Sequence, residues 1–186
     1  DKPRIARLCE QAGLYQRALE LYTEFADRKR VMLQTHAIHP QWLTDYFANL
    51  LPEQGLDVLN EMLATNIRQN LPIVIEVAAK FSDPFGAENL IRMFENYRSV
   101  EGLFRYLQRV VNFSTDPNVH MKYIRSAAML GQTAEVERIV RESDYYDAAT
   151  VRDFLMEQKL PDQLPLVIVC DRFGFVDKLT QYLYQN

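Results

Sequence analysis

In 186 residues, six glycines and eight prolines are too few for collagen-like, linker-like or turn-rich β architecture. Hydrophobic residues make up 48% and charged residues 25%, a composition that excludes disorder as the main state, at a length sufficient for a sizeable core. The net charge of -4 supplies no attraction to nucleic acid or anionic lipid, so neither is expected as a partner. Cys9 and Cys170 lie far apart in apolar helical patterns and signal neither a disulfide framework nor a zinc pair, which suits a reducing, intracellular compartment. The opening Asp1-Lys2-Pro3-Arg4 has no Met and no apolar signal region, and reads as an excised segment. The run Leu164 to Cys170 is far short of the ~20 residues of a membrane helix.

Apolar residues recur at spacings of three and four, and strand-length alternation is hard to find, so the chain reads as all-α. About thirteen short helices are expected, at 4–12, 14–26, 28–36, 40–50, 52–64, 70–81, 84–96, 99–113, 117–130, 132–143, 148–157, 162–173 and 175–184. The second carries the stripe Leu14, Ala18, Leu21, Tyr22, Phe25, and the fourth carries Trp42, Leu43, Tyr46, Phe47, Leu50, Leu51. Pro72 leaves the sixth open: residues 66–70 are either a preceding turn or part of a longer helix kinked near Pro72. Asp83-Pro84 and Asp116-Pro117 each place a capping carboxylate before a proline at a helix start. The eighth helix repeats the stripe with Val100, Leu103, Phe104, Leu107, Val110 and Val111, and the last has Phe175, Val176, Leu179 and Leu183. Gly13, Gly131 and Gly174 sit where helices stop. In 162–173, with Asp162 as N-cap and Pro165 in the first turn, Leu164 and Leu166 to Cys170 leave almost no polar face, which predicts enclosure on several sides.

Short helices joined by tight turns along residues 1–186, without an internal linker, suggest one continuous α-solenoid of stacked αα-hairpins. The segment Arg7-Leu8-Cys9-Glu10-Gln11-Ala12-Gly13 overlays loosely on Arg125-Ser126-Ala127-Ala128-Met129-Leu130-Gly131, each followed by an amphipathic helix, but no repeat length follows.

Phosphate-loop, dinucleotide, nucleophile-elbow and zinc-protease motifs are absent, and neither an enzyme nor a bound cofactor is expected. His36 and His39 form H-x-x-H with no third ligand near in sequence, so helix-end histidines are the favoured reading over a metal site. His120 reads as structural or solvated. Asp144-Tyr145-Tyr146-Asp147 could serve acid–base chemistry, but a capped turn is favoured, and Asn112-Phe113-Ser114 matches the glycosylation pattern by chance. Arg28-Lys29-Arg30 reads as a solvated helix face. Glu135, Glu137, Arg138, Arg141 and Glu142 form a charged face with pairs Glu137–Arg141 and Arg138–Glu142 at i, i+4. It either solvates its helix or meets a partner.

The segment Asp162-Gln163-Leu164-Pro165-Leu166-Val167-Ile168-Val169-Cys170-Asp171-Arg172-Phe173, followed by Phe175-Val176, Leu179 and Tyr182-Leu183-Tyr184-Gln185-Asn186, closely resembles the clathrin heavy-chain family. The likeness continues in register through Asn66-Ile67-Arg68-Gln69-Asn70-Leu71, Glu101-Gly102-Leu103-Phe104, Val111-Asn112-Phe113-Ser114, Asp116-Pro117, Lys122-Tyr123-Ile124 and Glu135-Val136-Glu137-Arg138-Ile139. Pro72 and Pro161 depart from the family pattern, as does the stretch 81–88.

The resemblance implies a right-handed solenoid covering parts of two adjacent heavy-chain repeats, in the leg between ankle and distal leg. It implies a structural coat role on the cytoplasmic face of coated pits and vesicles, in endocytosis and intracellular protein transport. Its partners would be other heavy-chain legs, with light chains and adaptors bound by regions outside this segment and membrane contact made only through adaptors. The charged face at Glu135, Glu137, Arg138, Arg141 and Glu142 is then the candidate contact between legs. A helical-repeat subunit of a vacuolar or endosomal tethering complex is the alternative.

Overall fold

The computed structural model describes residues 1–186. It contains thirteen α-helices, three short 3₁₀ turns and no strand, so the fold is all-α and of the helical-repeat class. Two compact units divide the chain, Asp1–Tyr97 and Arg98–Asn186.

Unit 1 contains α1 (Lys2–Gln11), α2 (Tyr15–Leu21), α3 (Phe25–Met32), α4 (Pro40–Tyr46), α5 (Pro52–Lys80), α6 (Ser82–Phe85) and α7 (Ala87–Asn96). Its core is built from Leu19, Met32, Leu43, Phe47, Leu59, Met62, Leu90 and Phe94. The expected helix 14–26 is two helices, because the chain turns extended at Tyr22 (ψ 136°) and re-enters helix at Phe25. No glycine or proline marks that corner. Tyr22 is instead held back on α1, its hydroxyl donating to Glu10 at 2.7 Å.

The expected helices 52–64 and 70–81 form one element, α5, broken at Asn66 (φ -160°, ψ 91°) and not at Pro72. Asn66 acts as an internal N-cap, its Oδ1 accepting from the Gln69 amide at 3.1 Å. Farther along, Asp83 is not a cap: α6 begins at Ser82 and contains Pro84. The expected helix 84–96 is divided at Gly86, whose φ of 83° only glycine adopts at low cost. Phe85 immediately before it fills the space over Gly55, where a Cβ would lie 2.5 Å from the ring.

The basic run on α3 is not a solvated face either. Arg28 donates to the Tyr46 hydroxyl and the Asn49 carbonyl, Lys29 to Asp57 on α5, and Arg30 to Glu10 on α1. One short helix thereby ties together three other segments.

Unit 2 contains α8 (Val100–Val110), α9 (Pro117–Met129), α10 (Thr133–Glu142), α11 (Ala148–Gln158), α12 (Leu164–Phe173) and α13 (Val176–Gln185). Asp116 caps α9 as expected, accepting from the Asn118 amide at 2.9 Å. Tyr106, Leu107, Tyr123, Ile124, Val136 and Val140 form the core, with the Phe104 and Tyr123 rings stacked 5.4 Å apart. Helix α10 lies against both α9 and α12.

The stops at Gly13, Gly131 and Gly174 all have φ between 72° and 78°. At each, the following amide bonds back to a carbonyl five residues earlier: Leu14 to Cys9, Gln132 to Ala127 and Phe175 to Cys170. The loose overlay of 7–13 on 125–131 is thus a shared corner geometry, α1–α2 matching α9–α10. Helix α12 starts at Leu164, with Asp162 accepting from the Leu164 amide at 2.9 Å. It is not enclosed: Leu166, Val169 and Cys170 are buried, whereas Leu164 and Val167 are 39% and 37% exposed. Its neighbours α10, α11 and α13 leave one side open. On α13 no residue is buried.

Candidate functional site

Helix α10 is short and amphipathic, turning Val136, Ile139 and Val140 inward and leaving its charged residues on the remaining arc. Both expected pairs are present, Arg141 to Glu137 at 3.0 Å and Arg138 to Glu142 at 3.1 Å. The five residues are nevertheless not one uniform face. Glu135 and Arg138 are turned into a half-buried network in which Tyr123 on α9 donates to Glu135 at 2.5 Å and Arg138 bonds the same carboxylate at 3.1 Å. Arg138 also reaches the Asn112 side chain at 3.4 Å.

The Arg138 guanidinium, followed by the Tyr123 hydroxyl, holds the Glu135 carboxyl below its ordinary range, against the opposing effect of burial. Burial and the neighbouring carboxylate push the Tyr123 phenol up. Arg141 and Glu142 are exposed, whereas Glu137 is half-buried like Glu135 and Arg138.

The C-terminal end of α10 is closed by a residue with no sequence signal for the task. Arg172 on α12 donates to the carbonyls of Val140 (2.9 Å) and Ser143 (2.6 Å), pairs with Asp144, and lies over the Tyr146 and Phe173 rings. These are the carbonyls a helix end leaves without partners. The Tyr146 hydroxyl donates to Val140 as well, at 2.5 Å.

Asp147 caps α11 by accepting from the Thr150 amide at 3.0 Å, so Asp144–Asp147 is the capped turn expected. His120 is buried, with Nε2 2.7 Å from the Ser114 carbonyl and Nδ1 2.8 Å from Ser143 Oγ. A carbonyl only accepts, which assigns the proton to Nε2. His39 caps α4 through Nδ1, accepting from the Gln41 amide at 3.2 Å. Nowhere do three His, Cys, Asp or Glu side chains gather as a metal site, and no helix is long and apolar enough to cross a membrane.

The arrangement is one of tied helix ends and paired charges. Residues 1–71 and 78–186 match the family model for clathrin, described as a region in clathrin and VPS proteins. The chain belongs to the clathrin family. It is 53% identical over 186 residues to a probable clathrin heavy chain 1 of Caenorhabditis elegans, and 53% identical over 187 residues to the clathrin heavy chain of Dictyostelium discoideum. It is 51% identical to clathrin heavy chain 2 of Homo sapiens. Each alignment covers all of this chain and 11% of the relative, so the chain spans about a tenth of the length of the relatives it matches.

Proposed function

We propose that this chain is a structural leg segment of a clathrin heavy chain, serving coat formation in endocytosis and intracellular protein transport at the cytoplasmic face of coated pits and vesicles. The observation that carries this reading is the identity of about one residue in two to clathrin heavy chains, sustained over the whole chain. The family description also admits VPS proteins, but the relatives named above are clathrin heavy chains, which favours the coat over the tether. The two matched stretches support assigning the chain to parts of two adjacent repeats. Its partners are other heavy-chain legs; light chains, adaptors and the membrane are reached through other regions. The role is mechanical, not catalytic.

Among the charged residues of α10, the exposed Arg141 and Glu142, with Glu137 paired to Arg141, are the contact between legs, whereas Glu135 and Arg138 position them. Support comes from the exposure of Arg141 and Glu142 and from a pattern able to exchange its i, i+4 pairing for pairing with a neighbour. Many such weak contacts reinforce one another in a lattice through effective concentration.

The full-length protein carrying this segment, fluorescently tagged in its own cells, is expected in membrane-associated puncta; a diffuse signal overturns the coat reading. The exchange Glu137→Lys with Arg141→Glu keeps the internal pair and is expected to change stability by less than about 1 kcal/mol while slowing coat assembly followed by turbidity and electron microscopy. Coats that assemble at the normal rate return this face to a solvating role.

A further inference from the structure

We propose that the exposed Phe113 ring, on the turn between α8 and α9, is the apolar anchor of a two-fold contact with a second copy of this chain, each ring lying against the Tyr145 turn of the other copy. Such a contact rests on the coat role proposed above and supplies the apolar centre that the charged residues of α10 lack. Exposed ion pairs contribute little by themselves, and stable interfaces set aromatic anchors inside a polar rim.

Phe113 is 91% exposed, although the residues around it are anchored. Val111 is buried, and the Asn112 side chain accepts from Arg138 at 3.4 Å. The Ser114 carbonyl accepts from His120 Nε2 at 2.7 Å, and Ser114 Oγ accepts from the Asp116 amide at 3.1 Å. A ring displayed on a fixed turn loses little freedom on binding and gains its whole burial there. The same histidine holds a second turn beside the first. Its Nδ1 lies 2.8 Å from Ser143 Oγ, to which the Tyr145 amide donates at 3.1 Å, and the half-exposed Tyr145 ring is 5.4 Å from the imidazole.

Contacts run in a closed circuit from Asn112 through Arg138, Glu142 and Ser143 to His120 and back to Ser114, so Phe113, Tyr145 and the end of α10 belong to one surface. Its charges select a second copy. Arg141 and Arg172 stand against Glu142 and Asp144, a balance that draws neither an anionic nor a cationic partner. Opposite charges side by side are self-complementary about a two-fold axis, where Arg141 of each copy meets Glu142 of the other, as an isologous contact requires.

The test uses the full-length protein carrying this segment, with the photo-crosslinker p-benzoylphenylalanine in place of Phe113, irradiated after assembly into coats. An adduct of two heavy chains is expected, mapped by mass spectrometry to the tryptic peptide 142–152 of the second copy. Phe113→Ser should raise the protein concentration needed for assembly about tenfold or more, and Phe113→Leu by less. Because the ring is exposed, an unaltered thermal melt is expected for both variants. An adduct with a different polypeptide or with lipid, an adduct elsewhere on the heavy chain, no adduct, or assembly of Phe113→Ser at the original concentration overturns the proposal and leaves the coat role standing. Failure of the unaltered protein to form coats overturns that role and this contact with it.

Discussion

The side-chain amide of Asn70 donates to the main-chain carbonyl of Met62 at 2.8 Å, reaching back across the break at Asn66. Thr35 completes the link by donating its hydroxyl to Asn70 Oδ1 at 2.5 Å, so one residue that is only 3% exposed joins both halves of α5 to the 3₁₀ turn before α4. A break in a helix becomes a fixed angle when its polar groups are met in this way.

Asn70→Ala is accordingly expected to cost about 2 kcal/mol in urea unfolding, since it leaves a buried carbonyl and hydroxyl without partners. Thr35→Val in the same background should add less than it costs alone, because the two changes remove a shared bond. Strict additivity would show that Thr35 and Asn70 act separately.

Gly55→Ala should cost about 1–3 kcal/mol, because the added Cβ lies 2.5 Å from Phe85 Cζ and 2.8 Å from Cε1. Phe85→Leu in that background should recover part of the loss, which a double-mutant cycle measures. A neutral Gly55→Ala would mean that the α5–α6 contact gives way easily.

The Tyr123–Glu135–Arg138 network predicts loss of stability at both ends of the pH scale. Glu135 titrates below its ordinary value of 4.5 in the folded chain, so its contribution is present above that value and is lost as pH falls through the folded one. Tyr123 titrates above its ordinary value of 10.0, so its contribution is present below that pH and is lost as pH rises through the folded value. Melting temperatures across pH should show Glu135→Gln flattening the acid limb and Tyr123→Phe the alkaline one. Unchanged limbs in both variants would remove the network from the pH dependence.

Lys159 ends α11 in the left-handed region at φ 47°, ψ 57°, a conformation costly for a residue with a Cβ. Lys159→Gly should raise stability by about 0.5–1 kcal/mol despite glycine's greater freedom in the unfolded chain, read as a higher melting temperature.

On α12, Leu166→Ala should cost about 2–5 kcal/mol, and Ile168→Ala distinctly less. Leu166 is 1% exposed, whereas Ile168 is only partly buried. Equal costs would mean that Ile168 is enclosed as fully as its apolar surroundings in sequence suggest.

Local rules within the chain determined the all-α class, the glycine stops and the caps at Asp116 and Asp147, because each depends on residues within a few positions of one another. The i, i+4 pairs on α10 are legible for the same reason. Tertiary structure decided the corner at Tyr22, which is tied back to Glu10, and fixed the angle of the break at Asn66 through the Thr35–Asn70 bond, whereas the internal cap from Asn66 to Gln69 and the positive φ at Gly86 are local features. It also decided that Arg28, Lys29 and Arg30 staple α3 to three other segments, that Arg172 closes α10, and that Glu135 and Arg138 turn inward. A charged side chain reads alike whether it faces water or a partner a dozen or more residues away; only packing supplies the partner.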